Sequence, residues 1–138
     1  MIILDTNIIS ELMKTAPSRQ VITWIDQQDA MTLFITSITV AEITYGLNAL
    51  TASKRRDYLE DAFGSLLAEG FKHRVVVFDE PAAHIYGKLM AHRKTLGRPL
   101  SILDGQIAAI SGAHQMSLAT RNTRDFVDCE LNIINPFQ

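Results

Sequence analysis

The chain has 138 residues, nearly half of them hydrophobic and a fifth charged, with 13 basic against 15 acidic side chains and a formal net charge of −2. No apolar run approaches the roughly 20 residues that span a bilayer, the N-terminus lacks the order of a signal peptide, and the lone Cys129 rules out an internal disulfide. The expected protein is therefore one domain over residues 1–138 in the reducing cytoplasm, with no membrane partner and no overall basic surplus to attract nucleic acid.

Met1-Ile2-Ile3-Leu4 runs unbroken into Asp5. A short apolar run without polar alternation predicts a strand buried on both faces, as in parallel α/β sheets. Asp5 then lies just past the carboxyl end of that strand, the edge at which open α/β sheets bind ligands. Asp5 and Thr6 also suit the N-cap of a following helix, so both roles stay open. Ile8, Ile9 and Leu12 keep helical spacing to Lys14, and Pro17-Ser18 ends the run. A second helix is predicted over Ser18–Gln28, with Trp24 in the core or at a dimer contact. Thr32–Thr36 reads as a second strand and Thr39–Leu50 as a helix packing Val40, Ile43, Leu47 and Leu50. Ser53–Glu69 is an amphipathic helix closed by Gly70 as its C′ residue.

Val75–Phe78 reads as a third buried strand. Asp79-Glu80-Pro81 opens a helix by capping chemistry, and that helix closes near Gly97. After a turn at Arg98-Pro99-Leu100, Ser101–His114 is a helix that buries Leu103, Ile107 and Ile110. Ser117–Thr120 is a short strand, Arg121–Asp125 a polar loop, and Leu131–Ile134 a last short strand. Strands alternating with helices predict an α/β fold around a parallel sheet of four to five strands. In such a sheet Asp5, the segment before Glu42, and Thr120–Asp125 face one crevice.

Three acids carry the chemical argument. Glu42 fits a capping box begun by Thr39, yet its helical neighbours Ile38, Thr39, Tyr45 and Gly46 include no basic partner. Asp104, three residues after Ser101, suits a helix start through the helix dipole. Asn122 and Asp125 suit a plain turn. Gathered in one crevice, such carboxylates repel by roughly 1–4 kcal/mol per close pair and need a proton or a cation to coexist. Oxygen-only ligation favours Mg²⁺ or Mn²⁺ over zinc, and a carboxylate-held divalent ion suits hydrolysis of phosphodiesters. A non-catalytic module whose acids only cap helices, and a Mg²⁺-dependent phosphatase, are the alternatives. No phosphate-binding glycine loop, dinucleotide fingerprint or His-Glu-x-x-His motif is present.

The stretches Ile3–Asn7, Ser37–Gly46, Phe78–Ala83, Asp104–Ala109, Ala119–Phe126 and Asn135–Phe137, in this order, resemble the PIN-domain ribonucleases of the VapC toxin type, especially FitB-like members. The resemblance implies a three-layer α/β/α fold, an acidic pocket for Mg²⁺ or Mn²⁺, and endonucleolytic cutting of RNA, with tRNA loops among the family's targets. It also implies a homodimer and a cognate antitoxin that blocks the groove and brings the pair to operator DNA. Asp5, Glu42 and Asp104 fall on the family's acidic positions as metal ligands. Asn122 stands where the family often has Asp, and Asp125 is the candidate to supply the missing charge. Thr6 and Thr120 take the hydroxyl positions beside the metal, with Asn7 supporting them. Arg121 and Arg124 are nominated for RNA binding ahead of Lys54-Arg55-Arg56, which reads as a solvated helix face.

Overall fold

The computed structural model describes residues 1–138. Five strands form one sheet in the order β3-β2-β1-β4-β5: β1 (Ile2–Leu4), β2 (Leu33–Thr36), β3 (Val75–Val76), β4 (Ser117–Ala119) and β5 (Ile133–Ile134). Every pairing is parallel. Six α-helices connect and cover them: α1 (Thr6–Leu12), α2 (Arg19–Asp26), α3 (Ser37–Ala49), α4 (Lys54–Ser65), α5 (Glu80–Thr95) and α6 (Ile102–Ala113).

The apolar side chains divide into two cores, one on each face of the sheet. On β1, Leu4 joins Ile8, Val21, Ile43, Leu47 and Phe63 from α1 to α4. Ile3 points the other way and packs with Ile107, Ala108, Ile110 and Leu118 under α5 and α6. Alternation along a strand with both faces covered gives the three-layer α/β/α architecture and explains the unbroken apolar run at the start of the chain.

Chain order sets the position of the crevice. From β1 the chain steps outward through β2 to β3, then returns to the other side of β1 for β4 and β5. The point of reversal lies between β1 and β4, where doubly wound sheets open a cleft beyond their carboxyl ends. Gly105 contributes to the setting of α6. A Cβ there would meet Met90 Sδ at 2.5 Å and Tyr86 at 3.1 Å, so its bare backbone lets α6 lie close against α5.

Several elements differ from the sequence reading. α3 is capped by Thr36, whose hydroxyl accepts the Thr39 N–H at 3.1 Å, so the helix begins at Ser37 and Thr39 is already inside it. β3 is a two-residue edge strand with Val75 and Val77 exposed, because nothing pairs with its outer side. Gly70 does not take up the left-handed C′ conformation; α4 runs on into a wider π turn over Leu66–Gly70. Leu103, in the first turn of α6, is exposed and not buried with Ile107 and Ile110. Asp79 accepts the Ala82 N–H at 3.1 Å, and Gly97, with φ of 73°, follows the end of α5, as capping chemistry predicts.

Candidate active site at the carboxyl edge of the sheet

The β1–β4 register pairs Leu4 with Ala119, so Asp5 and Thr120 are the next residues out on adjacent strands. Asp5 is buried, with 4% of its surface exposed. Its Oδ1 accepts the Thr6 N–H at 2.8 Å and caps α1. Its Oδ2 accepts the Thr120 hydroxyl at 2.8 Å and the Asn7 side-chain amide at 3.3 Å. Capping and crevice roles thus coexist in one carboxylate. Burial pushes its pKa from 3.8 up to about 6; the Thr120 and Thr6 hydrogen bonds pull it back, and the charges of Asp104 and Glu42 push it further.

Thr120 joins this corner of the site together. While its hydroxyl donates to Asp5, its oxygen accepts from the Asn7 amide at 3.2 Å and from the Asn122 N–H at 3.1 Å. Asn7 in turn accepts the Arg121 N–H at 3.1 Å, fixing the loop after β4 against α1.

Glu42 has no part in a capping box, because Thr36 and not Thr39 starts the helix. Its Oε1 instead accepts the Thr6 hydroxyl at 3.0 Å. Thr6 has one hydroxyl hydrogen, so with that hydrogen on Glu42 the 2.9 Å contact to Thr39 must be donated by the buried Thr39 hydroxyl. Glu42 is half-buried; its carboxyl is pushed up first by burial and also by Asp104, against the pull of Thr6. Asp104 lies in the first turn of α6, where its N–H donates to the Ser101 hydroxyl at 3.2 Å. Burial leads in raising its pKa, the Ser101 side chain opposes this, and Asp125 adds to it.

Asp5, Glu42 and Asp104 line one pocket of about 370 Å³, together with Thr6, Asn7, Arg121 and Asn122, and no apolar side chain faces it. Asn122 is exposed and its side-chain amide makes no hydrogen bond. Asp125 and Arg124 lie outside the lining, on the exposed face of the single turn Thr123–Phe126. Glu11, Lys14 and Ser10 also line the pocket, although no motif in the sequence marks them. Glu11 is buried, yet both its oxygens are engaged, by Lys14 Nζ at 3.0 Å and by the Ser18 N–H at 2.9 Å. A Glu-Lys pair three residues apart reads as a surface ion pair, so the sequence offered no sign of it.

The donor set suits a hard cation. It consists of carboxylates with hydroxyl and amide oxygens, and three of its carboxyls are held above their ordinary range. No three acidic, histidine or cysteine side chains converge on one point, so the expected direct sharing of one ion by Asp5, Glu42 and Asp104 is not present as a closed chelate. The oxygen chemistry of the lining suits Mg²⁺, which keeps several waters and takes one or two carboxylates, and not the Cys- and His-built cages of structural zinc. The four histidines are all exposed.

A family model for the PIN domain matches residues 2–129. The chain is 44% identical to VapC ribonuclease Y4jK of Sinorhizobium fredii, over 100% of this chain and 99% of that one. In the crystal structure of FitAcB from Neisseria gonorrhoeae, one chain superposes with a TM-score of 0.92 at 34% identity, covering 100% of this chain and 99% of that one. A structure of FitAB bound to a DNA fragment matches with a TM-score of 0.92 at 35% identity, covering 100% and 96%. The fold, the acidic pocket at its switch point and these likenesses together place the chain in the PIN-domain family, among proteins of the VapC and FitB type.

Proposed function

We propose that this protein is a metal-dependent endoribonuclease and the toxin of a toxin–antitoxin pair. The observation that carries the reading is Asp5: a buried carboxylate facing two further carboxylates in a pocket without one apolar side chain. Such a group is costly to ionise unless a cation joins it.

Asp5 and Asp104 are assigned to hold Mg²⁺ or Mn²⁺, with Glu42 beside them. When bound, the ion supplies Lewis-acid activation for hydrolysis of a phosphodiester. Thr120, Thr6 and Asn7 orient the carboxylates. Through Thr6, one oxygen of Glu42 is tied down and the other is left to the pocket, where it orients the attacking water and takes its proton. Asn122 adds an uncharged oxygen at the rim. Asp125 contributes at a distance, by its charge on Asp104. Arg121 beside the acids and Arg124 outside them attract the RNA backbone.

The likeness to chains of FitAcB and of FitAB bound to a DNA fragment supports a cognate antitoxin that seats on this protein and a DNA-bound assembly; a homodimer and operator DNA as the target complete the proposal. tRNA is the candidate substrate. The deciding experiment incubates the purified protein with total RNA, with and without Mg²⁺ or Mn²⁺, and maps new 5′ ends. Discrete ends that need the ion support the reading; intact RNA under every condition overturns it.

A further inference from the structure

Arg121 is a cation in an acidic pocket that pairs with none of the acids. Its backbone N–H is held by Asn7, but its guanidinium makes no hydrogen bond and no ion pair. Glu11, whose carboxylate feels the Arg121 charge, is already filled by Lys14 and Ser18. What the guanidinium does touch is an aromatic face. Its central carbon lies 3.9 Å from the centroid of the Phe137 ring.

Both partners are fixed from behind. β4 and β5 run in parallel with Ala119 opposite Ile134, so Arg121 and Phe137 emerge past the same edge of the sheet. The Thr120 N–H donates to the Ile134 carbonyl at 2.9 Å, and the Phe137 N–H to the Asn135 side chain at 3.0 Å. Phe137 is half-buried against the core that includes Leu4. A guanidinium stacked on a ring keeps all its N–H donors in its own plane, pointing away from the ring. That plane offers a two-pronged fork, the geometry that matches phosphate oxygens.

We propose that Phe137 is a positioning residue: it holds the Arg121 guanidinium flat at the rim of the acidic pocket so that the fork receives a backbone phosphate of the RNA. The inference rests on the ribonuclease reading and deepens it, by assigning the C-terminal aromatic to substrate placement and not only to core packing. It also answers how a protein of net charge −2 brings a polyanion to a pocket lined by four carboxylates. One cation is held back from neutralising the acids and is kept for the ligand.

The test is a double-mutant cycle of Arg121→Ala and Phe137→Leu, read by anisotropy of a fluorescein-labelled oligouridylate with Ca²⁺ in place of Mg²⁺. Phe137→Leu keeps apolar bulk and removes the π face, and should weaken binding about three-fold, the range of an exposed cation–π contact. In the Arg121→Ala background it should weaken binding no further. Arg121→Ala should also lower the salt slope by about 0.7, and Phe137→Tyr should bind like the parent. In cleavage assays with Mg²⁺ the loss should fall on KM and leave kcat in place. Equal losses from Phe137→Leu in both backgrounds, or none in either, overturn the inference while leaving the ribonuclease reading standing. Should Phe137→Leu fail to fold, Arg121→Lys asks the same question, since it keeps the charge and loses the planar stack; unchanged affinity there overturns the inference too. A parent protein that neither binds nor cuts RNA with any divalent ion sinks the ribonuclease reading, and this one with it.

Discussion

The Thr120 hydroxyl donates to Asp5 Oδ2 at 2.8 Å across 115 residues of chain, and both groups are buried. Thr120→Val keeps the shape and removes the donor, leaving the carboxylate with the Thr6 N–H and a longer bond from Asn7. Hydrogen bonds to charged groups contribute about 1.5–3 kcal/mol, so chemical denaturation should show a loss of roughly that size. Thr120→Ser should recover most of it. The Asp5 carboxyl should rise above its present value of about 6 in the valine variant, because its largest opposing influence is gone.

Asp5 also makes stability depend on pH in the direction opposite to that of a salt-bridged carboxylate. Its folded pKa of about 6 lies above the ordinary 3.8, so between those values the native state holds more protons than the unfolded chain. Stability without metal should therefore fall as pH rises from about 4 to about 6 and then level off. At about 1.4 kcal/mol per pKa unit, the drop is on the order of 3 kcal/mol. Asp5→Asn should be the more stable protein at pH 7 in EDTA. Addition of Mg²⁺ should raise the Tm of the parent and leave that of the variant unchanged.

Expression of the chain without a partner should arrest growth, and Asp104→Asn should relieve the arrest. The substitution keeps the shape and the first-turn N–H bond to Ser101, so the variant should fold with a circular dichroism spectrum like the parent's. Cleavage should fall by about 100-fold or more, the scale on which removal of one charged catalytic group is felt. A fully toxic Asp104→Asn would refute the proposed chemistry.

The unpartnered Asn122 amide faces the pocket, whereas Asp125 stands outside its lining. Asn122→Asp should tighten Mn²⁺ binding in calorimetry, because the added carboxyl, on an exposed residue, is ionised above roughly pH 4. Asp125→Asn should alter Mn²⁺ affinity less than Asn122→Ala does.

Arg93 is buried with no carboxylate beside it. Its guanidinium donates to the carbonyls of Arg98 at 2.7 Å and of Asp125 and Val127 at 2.8 Å each. It thereby clamps the turn before α6 to the loop after Asn122. Arg93→Met strands those carbonyls, and urea unfolding should register a loss of roughly 2–4 kcal/mol. Arg93→Lys should recover little, because a single ammonium cannot span three acceptors held in a fork.

The parts of this protein legible in its sequence are those set by local pattern. Ile2–Leu4 followed by Asp5 announces a buried strand and the polar step at its end, and Asp79 and Ser101 announce helix starts. Where two good caps stand three residues apart, as Thr36 and Thr39 do, hydrophobic spacing cannot choose between them, so the sequence leaves Glu42 open between a capping box and the crevice. β3 looked like an interior strand because Val75–Phe78 is apolar; only the strand order shows that one side of it is unpaired. Glu11 and Phe137 stayed hidden for a common reason. Their roles depend on which strand and helix ends meet, and that is a property of register and not of any segment alone.

The central place of β1 has a consequence for the timing of synthesis. The first strand made by the ribosome must wait for almost the last: Asp5 has no hydroxyl donor until residue 120 has been translated. At roughly 5–20 residues per second the interval is on the order of ten seconds. During that time a nascent chain carries its acids without the wall that aligns them. The acidic pocket, lined from Asp5 to Asn122, is thus completed only as translation nears its end.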